Sequence, residues 1–368
     1  MSSSKTIFPI DYSVTGIRSL NSTDNLVIIT GSCPPPTNSS SRVTPGLIYS
    51  GPVIPKDIYS SACSWNPADS TGCLCVLPQI QGQTPVTAVF YGPDTTWFTP
   101  ELNGDIRVVG SYRLTATGYD HGVKYQGPLT VEGLANHNNW EKIVMDPDKV
   151  TGTVANTILH STMGDLIVGN YDLEGSPGSG NAFIYQISTR ECFDLKTLLP
   201  DESKFVTAYG IWKNDITDQK DGTAYTIAGG LWTPGVQGFN AGFLVDVDIS
   251  TTPFTVSNLT PFSYGNELAH LTHFEGITRN GTVNTKYGPA QYSLAATGDK
   301  HDVNRGAAFA VVSRDPDDGS FIPIAKWTPV AKPNGASFIT GNTVLQSFLY
   351  GIYPATGQTF RSYIADLR

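Results

Sequence analysis

The sequence predicts an all-β fold: a six-bladed β-propeller of four-stranded antiparallel blades, its ring closed by an N-terminal strand. Three observations predict it. A four-run unit recurs along the chain, each run of strand length and closed by Gly, Pro, Asn or Asp. The last unit stops at Arg368 without a fourth run, and Thr6–Asp11 (TIFPID) has no unit of its own, so it can supply the missing strand. Composition agrees, with Gly 37 and Pro 25 against Met 3, and no long stretch shows the i, i+3, i+4 apolar spacing of a helix.

The chain has 368 residues, enough to bury a sizeable core. The unit is clearest over Thr157–Asp248, where it occurs twice in succession. Its inner run aligns six times on a Gly: SVTGIRSL (13–20), AVFYGPDT (88–95), HSTMGDLI (160–167), TAYGIWKN (207–214), HFEGITRN (273–280) and SFITGNTV (337–344). The second run is apolar and ends in Gly: LVIITGS (26–32), IRVVGSY (106–112), LIVGNYD (166–172), TIAGGLW (226–232), SLAATGD (293–299) and, more loosely, FLYGIYP (348–354). Third runs include GLIYSGPV (46–53) and GVKYQGPL (122–129), which share G-x-x-Y-x-G-P.

One propeller domain over 1–368 follows, with blades near 12–78, 85–146, 155–198, 205–260, 270–330 and 335–368, the last completed by 6–11. A five-bladed ring, with the first unit as an extension, is the structural alternative. A pair of sandwiches does not explain the Gly-terminated second strands. The inner-run Gly residues let neighbouring backbones crowd around a central channel.

The balance of 39% hydrophobic and 15% charged residues is that of a globular protein with a low-charge surface. Net charge is −9, and Lys and Arg nowhere cluster, which excludes phosphate-tracking nucleic-acid binding. No run approaches the roughly 20 apolar residues of a membrane-spanning helix. Four of the five cysteines, Cys33, Cys63, Cys73 and Cys75, fall early in the chain, so one or two disulfides and an oxidising compartment are expected, with Cys192 left free. Cys73-Leu-Cys75 lacks zinc-ligand spacing. The segment MSSSKTIFPID has no apolar signal core, and the cysteines favour a secreted or secretory-lumen protein whose leader has been removed. Asn21, Asn38, Asn258 and Asn280 stand in glycosylation sequons, at a frequency chance alone allows.

The second-to-third connections are long (33–45, 113–122, 172–181, 231–240 and 299–306) and should gather at one mouth of the channel, where function usually sits. They and the strand ends beside them carry Tyr112, Tyr119, Tyr171, Trp232, Phe239, His301, Arg305 and Tyr353; the inner runs add Tyr91, Trp212 and Phe338. These are the substrate-binding candidates, read as an aromatic cup for a small apolar or aromatic ligand. His273 and Glu275 share a strand face and can do acid–base work; with Tyr209 they are the catalytic candidates. A plain hydrogen bond between inner strands is the simpler account of the same pair. Asp299, His301 and Asp302 share a loop but read as solvated charges, so no metal site is expected. G-x-S-x-G and a phosphate loop are both absent.

HSTMGDLIVGNYD, TAYGIW and HFEGIT together resemble a group of secreted fungal and bacterial propeller proteins, and among named functions the fungal hetero-Diels–Alderases of tropolonic sesquiterpenoid pathways. The likeness spans roughly residues 85–368 and rests on strand signatures, with no catalytic motif to carry over residue by residue. It implies a cofactor-independent cyclase of meroterpenoid biosynthesis. A tropolone- or phenol-derived alcohol would lose water to an o-quinone methide, which adds across an alkene of a humulene-type terpene. Lys300 and Arg305, besides Tyr and His, are then candidate donors to the carbonyl oxygen. A monomer or weak homodimer is expected. The alternatives are a secreted carbohydrate- or ligand-binding propeller, which would repeat one binding motif per blade, and a metal-dependent lactonase or lyase, which would need several carboxylates on the channel.

Overall fold

A computed structural model describes residues 6–10, 12–23, 25–34, 43–54, 64–199, 205–214, 222–232, 241–266, 270–300, 306–324, 326–354 and 360–368. Strands dominate, and the one α-helix among the described residues is Val131–Ala135. Four antiparallel sheets stand apart, each of four or five strands. A fifth sheet has eight strands. It contains two antiparallel runs, Val154–Asp194 and Phe205–Phe262, joined by a single parallel pairing of Asn181 with Val206.

The N-terminal strand behaves as the sequence implies. Thr6–Ile10 pairs antiparallel with Phe360–Asp366, the last strand of the chain, so the two ends share one sheet. Val14 and Asn342 lock the same seam: Val14 N–H donates to Ser362 Oγ, and Asn342 Nδ2 donates to the Val14 carbonyl at 3.2 Å.

Each run begins on an inner strand: Ser13–Ser19, Thr87–Phe90, Val154–Met163, Phe205–Lys213, His270–Arg279 and Thr343–Leu345. Consecutive inner strands pack on one another, and the first packs on the last, which closes a ring around a channel. The protein is an all-β propeller. Six blades, or five, were expected; four sheets stand alone as blades, and the remaining two four-strand runs share the eight-stranded sheet, beside a small two-stranded sheet, Asn284–Thr285 with Gly288–Pro289.

The cores lie between neighbouring sheets. Phe183, Phe243, Phe274, Tyr112, Tyr225 and Tyr350 are fully buried there. Strands with both faces buried, such as Ala241–Val245, read as continuous apolar runs.

Cys33 and Cys75 form a disulfide across the first sheet, and Cys73 is also disulfide-bonded. Cys192 is a free, buried thiol, as the odd count implied.

Candidate functional site

Four inner strands share one irregularity. Register slips by a residue between Val14 and Gly16, Leu159 and Ser161, Ala208 and Gly210, and Phe274 and Gly276. A β-bulge leaves one residue outside the ladder and re-aims its side chain. The residues so placed are Thr15, His160, Tyr209 and Glu275. Tyr91, just past Thr87–Phe90, and Asn342, just before Thr343–Leu345, complete the set. These six, one from each inner run, line a single cavity with about 260 Å³ of empty space.

The residue after each must be small, because it faces the next inner strand. A Cβ on Gly16 would sit 2.6 Å from the Tyr91 carbonyl, and one on Gly276 would sit 2.7 Å from Thr343 Cα. At the third and sixth positions Ser161 and Thr343 take this place. The Gly alignment in the sequence therefore fixed the wrong residue in two units, Gly164 and Gly341. The requirement was for a small residue, and only four of the six positions meet it with Gly.

Along one side of the ring the aromatic groups touch in series. Tyr91 and His160 have ring centroids 4.6 Å apart, His160 and Tyr209 4.7 Å, and Tyr209 and His273 5.6 Å. His273 Nε2 lies 2.8 Å from Glu275 Oε1, which also accepts from Thr297 Oγ1 at 3.1 Å. Thr297 Oγ1 in turn accepts the Gly341 N–H at 2.9 Å, so the carboxylate is held from two sheets. On the other side Thr15 Oγ1 donates to the Phe90 carbonyl and Thr340 Oγ1 to Asn342 Oδ1, which ties those groups into the wall.

Burial sets the protonation states. It pushes the His160 imidazole down from 6.5 to about 3, so this ring is neutral at physiological pH. Burial also pushes the Tyr91 and Tyr209 phenols well above their ordinary range; Asp120 and Glu275 add to the first, and Glu275 to the second. Both remain O–H donors at any pH of interest. The ring thus offers neutral donors beside one carboxylate that can pass a proton through His273.

Toward the mouth, Arg113 pairs with Asp120 at 2.6 Å, and Asp120 accepts from Ser111 Oγ at 3.0 Å. On the opposite side of the ring the channel floor is closed by Pro93–Thr99. Arg18 Nε donates to the Pro93 carbonyl, Thr95 Oγ1 to the Ser19 carbonyl, and Gly164 N–H to Asp94 Oδ2. Phe98 packs edge-on to Trp212 at 5.2 Å.

Of the expected residues, the structure brings together His273, Glu275, Tyr209 and Tyr91. Four of the cup candidates lie elsewhere. Tyr112, Tyr171, Trp212 and Tyr353 are each under 9% exposed and belong to the cores between sheets. Tyr112, Tyr171 and Tyr353 sit on second strands whose alternation turns them between sheets; Tyr171, for example, donates to Asp194 Oδ2 at 3.0 Å, whereas Trp212 lies at the floor end of the channel under Arg18, away from the mouth. Tyr119, Trp232 and Phe338 do lie at the mouth end. Tyr119 is 52% exposed, Trp232 packs edge-on to Phe205, and Phe338 packs on Phe360. Phe205 and Phe360 are rim residues the sequence reading did not single out. Their signal was position, since each opens a strand at the mouth. Phe239, His301 and Arg305 lie outside the described residues, as does the Lys300 side chain. Among the sequons, Asn258 Nδ2 donates to Asp246 Oδ2 at 2.8 Å and Asn21 Nδ2 to Asn25 Oδ1 at 2.9 Å; Asn280 is half-buried and Asn38 lies outside the described residues. Among the described residues no three His, Cys, Asp or Glu side chains converge as a metal site. No described helix is long and apolar enough to cross a membrane.

No known family model matches the sequence. No curated protein matches it either. Solved structures with a similar course include a glucose dehydrogenase (TM-score 0.43, 8% identity, 98% of this chain and 99% of that chain) and a periplasmic gluconolactonase of Pseudomonas aeruginosa (0.42, 9%, 94% and 83%). An oligogalacturonate lyase in complex with manganese is also similar (0.39, 9%, 100% and 99%). Likenesses this distant decide nothing about chemistry, and the propeller rests on the sheets themselves.

Proposed function

We propose that the protein is a cofactor-independent enzyme acting on an oxygenated organic substrate, and specifically a hetero-Diels–Alder cyclase of the kind its strand motifs resemble. The observation that carries this is the pairing of His273 with Glu275 at 2.8 Å inside a ring of neutral Tyr91, His160 and Tyr209, beneath an aromatic rim. An apolar partner suits the rim of Phe205, Trp232, Phe338 and Phe360, and the oxygen function suits the ring. The reading also takes the eight-stranded sheet as two blades fused by the Asn181–Val206 pairing, which makes six blades around the channel. The disulfides support folding in an oxidising compartment and so a secreted protein.

In this mechanism the hydroxymethyl group of a tropolone or phenol leaves as water. It takes a proton from the His273–Glu275 pair, and the ring hydroxyl returns its own proton to that pair, which leaves an o-quinone methide and the pair as it began. Tyr209 and Tyr91 donate to the carbonyl oxygen of that heterodiene. An alkene of a humulene-type terpene held at the mouth then adds across it. One C–C and one C–O bond form, a dihydropyran results, and water is the only by-product. Holding the partners in one orientation contributes several kcal/mol, and a pre-placed donor about 3 kcal/mol more.

The test is incubation with the tropolone alcohol and humulene, with and without chelator. A single product enantiomer, formed above background and insensitive to chelator, is expected. Racemic product at the uncatalysed rate would sink the reading.

A further inference from the structure

Arg18 is a buried cation with few partners among the described residues. It is 4% exposed, yet its guanidinium makes one hydrogen bond among the described residues, from Nε to the Pro93 carbonyl at 3.2 Å. No carboxylate lies within ion-pair distance of it among those residues. Asp94 acts on it electrostatically but is already engaged by Thr99 Oγ1 at 2.6 Å, by the N–H groups of Thr95 and Gly164, and by Arg107 at 3.6 Å. Buried charges are ordinarily paired.

The side chain also reaches an unusual distance. It leaves the first inner strand, crosses the channel, and lies 5.4 Å over the ring of Trp212 on the fourth, with Phe98 at 5.8 Å. It forms the floor of the lower part of the channel, on the far side of the ring from the mouth, with about 280 Å³ of empty space; Ser161 and Thr343 stand in its walls, and Thr15, His160, Tyr209 and Glu275 line it in common with the cavity above. The space clear of all side chains is close to that of one water. Glu275 also borders this cavity, with Oε1 engaged by His273 and Thr297, and it forms no ion pair with Arg18 among the described residues.

We propose that the floor of the channel is a binding site for a small monovalent anion, a halide such as chloride, held by the terminal NH₂ groups of Arg18. Arg is suited to this role because its terminal donors diverge in a fixed plane and their charge is weakly hydrated. Aromatic faces on two sides leave the cavity as the open direction. Burial lowers the guanidinium to about 10 even though Asp94 acts to raise it. A resident anion supplies counter-charge without drawing on Glu275. The inference does not depend on the reaction proposed above, although the two sites share ring residues as a common wall.

Trp212 makes the site observable. It is 3% exposed, so quenchers in bulk solvent reach it poorly, whereas bromide bound to Arg18 would lie beside it. Bromide titrated into the wild-type protein at constant ionic strength, with gluconate as balance, should quench part of the tryptophan emission saturably. Trp212→Phe should remove that component. Arg18→Met should weaken the apparent affinity at least roughly tenfold, since charged hydrogen bonds contribute about 1.5–3 kcal/mol; Arg18→Lys should keep part of it. Purely linear quenching in the wild type overturns the proposal, as does saturable quenching unchanged in Arg18→Met. Crystals soaked in bromide decide the matter without any variant: an anomalous peak at the guanidinium supports the site, and its absence refutes it.

Discussion

The channel ring and the clamp around Arg314 are both polar clusters inside an apolar propeller, and they differ in completeness. Arg314 donates to Asp246 from both terminal nitrogens, at 2.8 and 2.6 Å, and further to the Gly319 carbonyl, Thr226 Oγ1 and Tyr292 Oη. Nε also reaches Tyr292 Oη, whose proton goes to Asn214 Oδ1, and Phe321 covers the guanidinium face at 4.4 Å. Every donor is used. In the ring, by contrast, Glu275 Oε2 carries no bond among the described residues, and its pair with His273 borders a cavity. A polar cluster that is finished stabilises a fold. One that is left open toward space is available to a ligand.

The largest effect that would sharpen this contrast is on stability at the clamp. Arg314→Met strands Asp246, Tyr292 and Thr226 together and should cost about 3–5 kcal/mol, read from denaturant midpoints. Charge replacement by Arg314→Lys should recover little, since Lys lacks the planar fork that meets both carboxylate oxygens. A loss under about 1 kcal/mol in Arg314→Met would break the comparison, because the clamp would then not be structural.

Glu275→Gln is the mirror experiment. It keeps the shape and an acceptor for Thr297 but removes the charge that orients His273. Unfolding free energy should move by less than about 1 kcal/mol, while turnover should fall about 10²–10⁴-fold. His273→Asn should do the same. A variant that unfolds as readily as Arg314→Met, with normal activity per folded molecule, would return this pair to the scaffold.

These two clusters also show what the sequence could and could not reveal. The repeat, the strand exchange at the chain ends and the free Cys192 were legible because they depend on local pattern, on an unmatched run and on an odd count. His273 and Glu275 were legible because a two-residue spacing places both on one face of a strand. The cup is legible only in part: Tyr112, Tyr171 and Tyr353 stand on second strands whose side chains turn into the cores, and Trp212 follows the bulge at Tyr209, which reverses its facing. A bulge adds one residue and inverts the facing of everything after it, and nothing in the composition of SVTGIRS or TAYGIWK announces it. Arg314 and Asp246 lie 68 positions apart, on third strands of different units, and no local pattern pairs them.

His160 belongs to the ring and should expose its cost under acid. Its folded value, about 3, lies below its ordinary 6.5. Between these limits the unfolded chain binds a proton that the folded one refuses. Stability from this group is therefore complete above about pH 6.5 and is lost as pH falls toward 3. The cavity beside His160 admits some hydration, so a loss of about 3 kcal/mol is a reasonable scale. His160→Gln should flatten the stability profile over that window. An unchanged slope would mean that the imidazole charges inside the folded channel, and the ring would be wetter than its geometry implies.

Tyr209→Phe tests the finest part of the contrast. The phenyl ring keeps its packing against His160 and His273, so the fold should lose less than about 1 kcal/mol. Only the hydroxyl is removed, and with it one donor to the substrate oxygen. Because Tyr91 sits on the other side of His160 and can still donate, the loss should be partial, about 10-fold in kcat with little change in KM. The double variant with Tyr91→Phe should lose more than the product of the single losses if the two phenols serve one oxygen. Simple multiplication of the two effects would place them on separate groups of the substrate, and the ring would then be two half-sites that happen to share a histidine.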